Sequence, residues 1–137
     1  MNEVVHTQNE EWYDIPVQDY RNLLVWQKAH GLTLSVYRVT NDFPQEERFG
    51  MTSQLRRSAV SIQANVAEGA GRRTARDFAH FIDIALGSTN EVECLIILAR
   101  DLEYINDASV LGVKTQVTEV RRMLTVLSQT IRSKSEK

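Results

Sequence analysis

The chain has 137 residues, of which 42% are hydrophobic and 25% charged, and its formal net charge is −2. This length and composition predict one globular domain, and they exclude extended disorder or a collagen-like chain for most of the sequence. One cysteine excludes an internal disulfide framework, and no stretch has the ~20 apolar residues of a membrane span, so we expect a cytoplasmic protein that does not enter a membrane.

The first 19 residues differ from the rest of the chain in charge. They contain no Lys or Arg but five acidic residues, namely Glu3, Glu10, Glu11, Asp14 and Asp19. All 16 basic residues therefore lie in the remainder of the chain, which also contains 13 acidic residues. We predict an acidic N-terminal arm at residues 1–19 and a folded domain at residues 20–137.

The first two predicted helices cover residues 22–41 and 46–70. Asn22 is the candidate N-cap of the first helix, and Phe43-Pro44 ends it, because the residue before a proline is pushed out of helical geometry. The first inward row is Val25, Ala29, Leu32, Val36, Val39 and Phe43, and the second is Leu55, Ala59, Ile62 and Val66. We expect a bend near Gly50 and a glycine C-cap within residues 69–71.

The next two predicted helices cover residues 74–105 and 107–133. Thr74 is the candidate N-cap of the third, whose apolar residues spread over more than one face, so this helix needs partners on two sides. We expect Cys94 to be a small core residue there. The fourth helix has the most regular apolar row: Val110, Val113, Val117, Val120, Leu124, Leu127 and Ile131.

Four long helices with short connections predict an all-α fold, an antiparallel up-down-up-down four-helix bundle. The excess apolar face of the third helix would leave a large exposed patch on an isolated bundle. The protein is therefore expected to associate with itself.

No catalytic or metal-binding pattern is visible in the sequence. The three histidines lie on separate segments, without a His-x-x-x-His pair, and the glycines at 69 and 71 follow a helix rather than a strand. We expect no enzymatic activity and no cofactor.

The second helix carries a second row, and it is polar throughout. Its members recur at alternating spacings of four and three: Gln54, Ser58, Ser61, Asn65, Glu68 and Arg72. One interpretation is a buried, hydrogen-bonded seam between helices or subunits, with Glu68 and Arg72 as an i,i+4 pair. The other is a polar groove, with Arg57, Arg72 and Arg73 at its rim to hold phosphates and Asn65 to contact a base or backbone.

Arginines are concentrated around this row. Residues 48–76 contain six of them and one acidic residue, Glu68, and the six are Arg48, Arg56, Arg57, Arg72, Arg73 and Arg76. They form either a basic patch or a surface whose charges are paired with neighbouring acidic residues. The weak net charge is unlike that of a dedicated nucleic-acid binder.

Several motifs in order carry a resemblance to a known family. They are Val25-Trp26-Gln27-Lys28-Ala29, Glu47-Arg48-Phe49-Gly50, Gln54-Leu55-Arg56-Arg57-Ser58, Asn65-Val66-Ala67-Glu68-Gly69 and Ala85-Leu86-Gly87-Ser88. Over residues 20–105 the chain resembles the bacterial four-helix proteins encoded in intervening sequences of 23S ribosomal RNA genes. Members often have a proline where this chain has Gln63, so we expect a straighter second helix.

The resemblance implies a ring-like homopentamer without catalysis and with RNA association. The accessory variability proteins of diversity-generating retroelements are similar in fold, and they act as basic pentamers that bind a reverse transcriptase and nucleic acid. We therefore expect an RNA-binding or ribonucleoprotein accessory protein; the alternative is a scaffold ring that recruits another protein, such as a reverse transcriptase. The candidate contact residues for RNA or a protein partner are Arg56, Arg57, Asn65, Glu68, Arg72 and Arg73.

Overall fold

The computed structural model describes residues 19–135, which form four α-helices and two short 3-10 turns. The helices are α1 (Leu24–Thr40), α2 (Met51–Ala70), α3 (Ala75–Asp101) and α4 (Asp107–Ser135), and the 3-10 turns are Tyr20–Asn22 and Gln45–Glu47. Residues 19–135 contain no strand, which confirms the all-α class with four helices. Of the predicted acidic arm, residues 1–18 lie outside the described residues.

The predicted apolar rows form one core. In α1 to α4 every predicted row is buried, except that Val39 and Leu127 are half-buried and that α3 leaves part of its apolar surface exposed. Helix α1 packs against α2 and α4, and α3 packs against the same two helices. Full burial of each large aliphatic side chain contributes roughly 1.5–3 kcal/mol, so these rows are the main source of stability.

Charged pairs join α3 to α4 at the edge of this core. The Glu93 carboxylate accepts a hydrogen bond from Arg121 at 2.5 Å. About three helical turns away, Asp83 accepts a hydrogen bond from Arg132 at 2.6 Å and from the Ser128 hydroxyl at 3.2 Å. The Arg132 guanidinium holds the pKa of the Asp83 carboxyl below its usual value.

The second helix begins later than predicted, at Met51 instead of residue 46. Gly50 has φ −108° and ψ −111°, which lies outside the helical region, and the segment before it forms a 3-10 turn. The Glu47 carboxylate accepts a hydrogen bond from the Met51 backbone N–H at 3.0 Å and so caps α2. The expected bend near Gly50 is therefore a break between two elements.

Two other ends differ from the prediction, and a third agrees with it. Helix α3 ends at Asp101 instead of residue 105, because Glu103 adopts φ 65° and the Tyr104 N–H donates to Ala99 O at 2.8 Å, a Schellman-type closure. Asn22 lies in the first 3-10 turn and does not cap α1, whose cap residue, Leu23, has no side-chain bond. The end of α2 agrees with the prediction, since the helix ends at Ala70 with Gly71 as its C-cap residue, although at φ −89° this glycine does not use the left-handed region.

Two local predictions on α3 have opposite outcomes. The N-cap is confirmed, since the Thr74 hydroxyl accepts a hydrogen bond from the Asp77 N–H at 3.1 Å. The prediction that Cys94 is a core residue is wrong, because its side chain is exposed. Successive residues of a helix are rotated by about 100°, and Leu95 and Ile96 occupy the inward positions beside it. Among the described residues, no helix is both long and apolar enough for a membrane crossing.

Candidate functional site

The middle of the polar row forms a hydrogen-bonded seam along the contact between α2 and α3. The buried Ser58 hydroxyl donates to Gln54 O at 2.9 Å within α2. The Ser61 and Ser88 hydroxyls lie 2.9 Å apart and bridge the two helices. The Asn65 amide donates to Ser61 O at 2.8 Å and to its hydroxyl at 3.0 Å. These partners leave little of the seam available to a ligand.

Helices α2 and α3 approach each other closely at the C-terminal end of the seam. A Cβ atom on Gly69 would lie 2.9 Å from the Phe78 ring, 3.0 Å from Phe81 Cβ and 3.3 Å from the Phe78 carbonyl oxygen. Such distances are shorter than van der Waals contact, so only glycine fits here. Beyond it, Glu68 and Arg72 form an ion pair of 2.6 Å, and the Arg72 guanidinium lies 4.6 Å from the Phe81 ring centroid.

At its N-terminal end the row opens into a groove. This groove encloses about 420 Å³ and is lined by Phe49, Ser53, Gln54, Arg57, Ser61 and Glu91, among others. Gln54 Nε2 lies 3.4 Å from Glu91 Oε2, a long bond between exposed side chains. In residues 19–135 the Arg57 side chain forms no hydrogen bond or ion pair. A cation and a carboxylate are thus both available to a ligand.

The turn before α2 presents an aromatic ring at the mouth of the groove. Phe49 is 87% exposed, and the Arg48 guanidinium lies 5.2 Å from its ring centroid. The same Glu47 carboxylate that caps α2 accepts a hydrogen bond from the Tyr104 hydroxyl at 3.0 Å, which raises the pKa of Tyr104. A Cβ on Gly50 would lie 2.7 Å from Glu47 Oε1, so a larger residue there would displace the capping carboxylate. Hydrogen bonds from Met51 and from Tyr104 to Glu47 therefore hold in place the turn that exposes the Phe49 ring.

Arg56 lies on a different side of α2 and contacts α1. Its guanidinium donates to the Thr40 hydroxyl at 2.8 Å, to Tyr37 O at 3.3 Å and to Asn41 Oδ1 at 3.2 Å. It also lies 4.6 Å from the Tyr37 ring centroid. Because Tyr37 belongs to the last turn of α1, Arg56 and the Thr40 hydroxyl together satisfy a carbonyl at the C-terminal end of that helix. We conclude that its contacts are structural.

The six predicted contact residues thus occupy different places. Asn65 lies in the seam, Glu68 and Arg72 pair beyond it, and Arg57 lies in the groove. Arg73 is exposed where α2 leads into α3, and among the described residues it forms no ion pair. Arg56 is separated from the rest by its contacts with α1.

Sequence reasoning did not select three residues that complete this region: Phe49, Ser88 and Glu91. A signal existed for Phe49, an aromatic residue between Arg48 and a glycine that breaks the helix. Ser88 and Glu91 lie on another helix, so their proximity to α2 becomes visible only in the fold. No group of three or more His, Cys, Asp or Glu side chains within residues 19–135 is placed to hold a metal ion.

Comparison with known proteins finds a matching family and similar solved structures. The profile of the 23S rRNA-intervening sequence protein family matches residues 21–126. A crystal structure of a protein with unknown function from the S23 ribosomal protein family of Bacteroides thetaiotaomicron superposes with a TM-score of 0.70. That protein is 26% identical, and the match covers 77% of this chain and 98% of the other. No curated protein matches.

Proposed function

Because the chain belongs to the 23S rRNA-intervening sequence protein family, we propose that it is a non-catalytic, oligomeric RNA-binding accessory protein of the bacterial cytoplasm. Its RNA contacts lie along α2, from the groove at Phe49 and Arg57 to the arginines at the other end of the helix. The two ends are about 20 Å apart at 1.5 Å per residue, so one extended strand can contact both.

The observation that carries this proposal is the pairing of Phe49 and Arg57 at an open groove. An exposed aromatic ring is a surface on which an unstacked base packs, and a guanidinium without a protein partner binds a phosphate. Arg48 lies against the same ring and extends this surface. Single-stranded RNA offers both groups, whereas the bases of an RNA duplex are stacked inside it.

We also propose that the bundle that presents this surface is antiparallel, with up-down-up-down topology. Contacts between α1 and α2 support it, since Gln63 reaches His30, Ala59 reaches Thr33 and Arg56 reaches Thr40. Contacts between α2 and α3 follow the same reversed order. They pair Gln54 with Glu91, Ser61 with Ser88, and Gly69 with Phe78.

Substituting two adjacent arginines tests the RNA site. Arg57→Ala is expected to weaken binding of a fluorescently labelled single-stranded RNA of about 12 nucleotides roughly ten-fold, because it removes one phosphate contact, while the melting temperature stays unchanged.

Arg56→Ala is the matched control, with the same loss of charge. It should lower the free energy of unfolding by about 1–3 kcal/mol and leave RNA affinity within about two-fold. Fluorescence anisotropy and thermal melts measure both. Equal RNA affinity of the wild type and Arg57→Ala would contradict this site and favour a protein-recruiting scaffold.

We also propose that the protein assembles as a homopentameric ring. Helix α3 supports self-association, because Ile84, Leu98 and Leu102 leave apolar surface exposed on the isolated chain. Light scattering at micromolar concentration should give a mass near five times the 15.7 kDa of one chain. A mass of one chain at that concentration would contradict self-association, and another multiple would contradict the pentamer.

A further inference from the structure

We propose that the groove at the start of α2 selects guanine among the RNA bases, with Glu91 as the residue that reads the base. This inference rests on the proposed function, and it assigns a base preference to the same groove. It follows from which polar groups of the groove are already bonded within the protein and which are available.

Two of the groove's hydroxyl groups already have partners. The Ser58 hydroxyl donates to Gln54 O, and the Ser61 hydroxyl is bonded to Ser88 and to the Asn65 amide. These groups are held along the floor of the groove by bonds within and between helices. They are poor candidates for reading a base, because a ligand would have to break existing hydrogen bonds.

The two charged groups of the groove are available and are of opposite sign. Arg57 has no hydrogen-bond or ion-pair partner within residues 19–135, and Glu91 receives there a single long bond of 3.4 Å from Gln54. A phosphate binds at Arg57 and is repelled by Glu91. The two charges therefore fix the direction of a bound nucleotide, with its phosphate at Arg57 and its base at Glu91.

The carboxylate then decides which base fits. A carboxylate only accepts hydrogen bonds, and its two oxygens match two adjacent N–H donors. Guanine presents two such donors, N1–H and the 2-amino group, next to each other on its Watson–Crick edge. Adenine, cytosine and uracil each present one donor beside acceptors, which a carboxylate oxygen repels. Glu91 therefore favours guanine over the other three bases.

The volume of the groove and the aromatic ring at its mouth suit a single bound nucleotide. A volume of about 420 Å³ lies within the range of small-molecule sites, and the exposed Phe49 ring offers a stacking surface beside it. Stacking on phenylalanine accepts any base, so the ring contributes affinity without selection. Selection is left to Glu91.

Binding of three labelled oligouridines, each with one central guanosine, inosine or adenosine, tests this inference. The protein should bind the guanosine probe about ten-fold more tightly than the adenosine probe. Inosine lacks the 2-amino group but keeps N1–H, so its affinity should fall between the two. Glu91→Gln should remove the preference and leave binding of the adenosine probe unchanged or tighter, because a repelling charge is lost.

Glu103→Gln is the control, since it removes the same charge from an exposed position in the turn after α3, and it should keep the preference. Equal affinity for the three probes, or a guanosine preference that survives Glu91→Gln, would overturn the inference and leave the proposed function standing. If none of the probes binds, the proposed function fails and the base preference fails with it.

Discussion

Leu55→Ala is expected to lower the free energy of unfolding by about 2–5 kcal/mol. Leu55 lies in α2 with no exposed surface, in the core row that includes Ala59 and Ile62. Truncation removes buried methyl groups and leaves a cavity, because the helices around it are fixed by their own contacts. Urea denaturation followed by circular dichroism measures the change, at one protein concentration because the proposed assembly would couple stability to concentration.

The matched control is Val60→Ala on the same helix, where the side chain is 39% exposed. It also shortens an aliphatic side chain to alanine, but little buried surface is lost, so we expect a change within about 0.5 kcal/mol. If the two variants lost the same stability, the row at Leu55 would not be the core of the bundle.

Gly69→Ala is expected to cost about 1–3 kcal/mol, although alanine favours a helix more than glycine does. The added Cβ would meet the Phe78 ring, the Phe81 Cβ and a backbone carbonyl at 2.9 to 3.3 Å, so α2 and α3 must move apart. This separation also weakens the bridge between Ser61 and Ser88, which lies in the same contact. Thermal and urea unfolding measure the loss.

Gly112→Ala provides the comparison. A Cβ added there meets no atom within 4 Å, and the residue lies in the interior of α4. The substitution should therefore stabilise the protein by about 0.5–1 kcal/mol through helix propensity alone. Stabilisation by Gly69→Ala of the same size would show that the close approach of α2 and α3 does not constrain the structure.

Helical periodicity was sufficient to predict most of the fold. The rows in α1, α2 and α4 follow from spacing alone, because a residue every three or four positions returns to one face of a helix. The element ends depended on contacts that are distant in sequence. Glu47 caps α2 while it bonds Tyr104, 57 residues away, and no local pattern contains that partner.

The candidate site was harder to predict, because adjacent residues with the same chemistry have different surroundings. Arg56 and Arg57 are equivalent in the sequence, yet about 100° of helix rotation turns one toward α1 and the other into the groove. The polar row was recognised in the sequence, and both of its interpretations find support along its length. Its middle is bonded to α3, and its first turn lines an open groove.

The dependence of RNA affinity on salt tests the central claim, that this protein binds RNA through arginines along α2. Each phosphate contact with a single strand contributes roughly −0.7 to the slope of log affinity against log salt concentration. One contact each from Arg57, Arg72 and Arg73 should therefore give a slope of about −2. The measurement is titration of the labelled single-stranded RNA at salt concentrations from about 50 to 200 mM. The account predicts that slope for the wild type and a slope shallower by roughly 0.7 for Arg57→Ala. A slope near zero, or the same slope for both proteins, would contradict it.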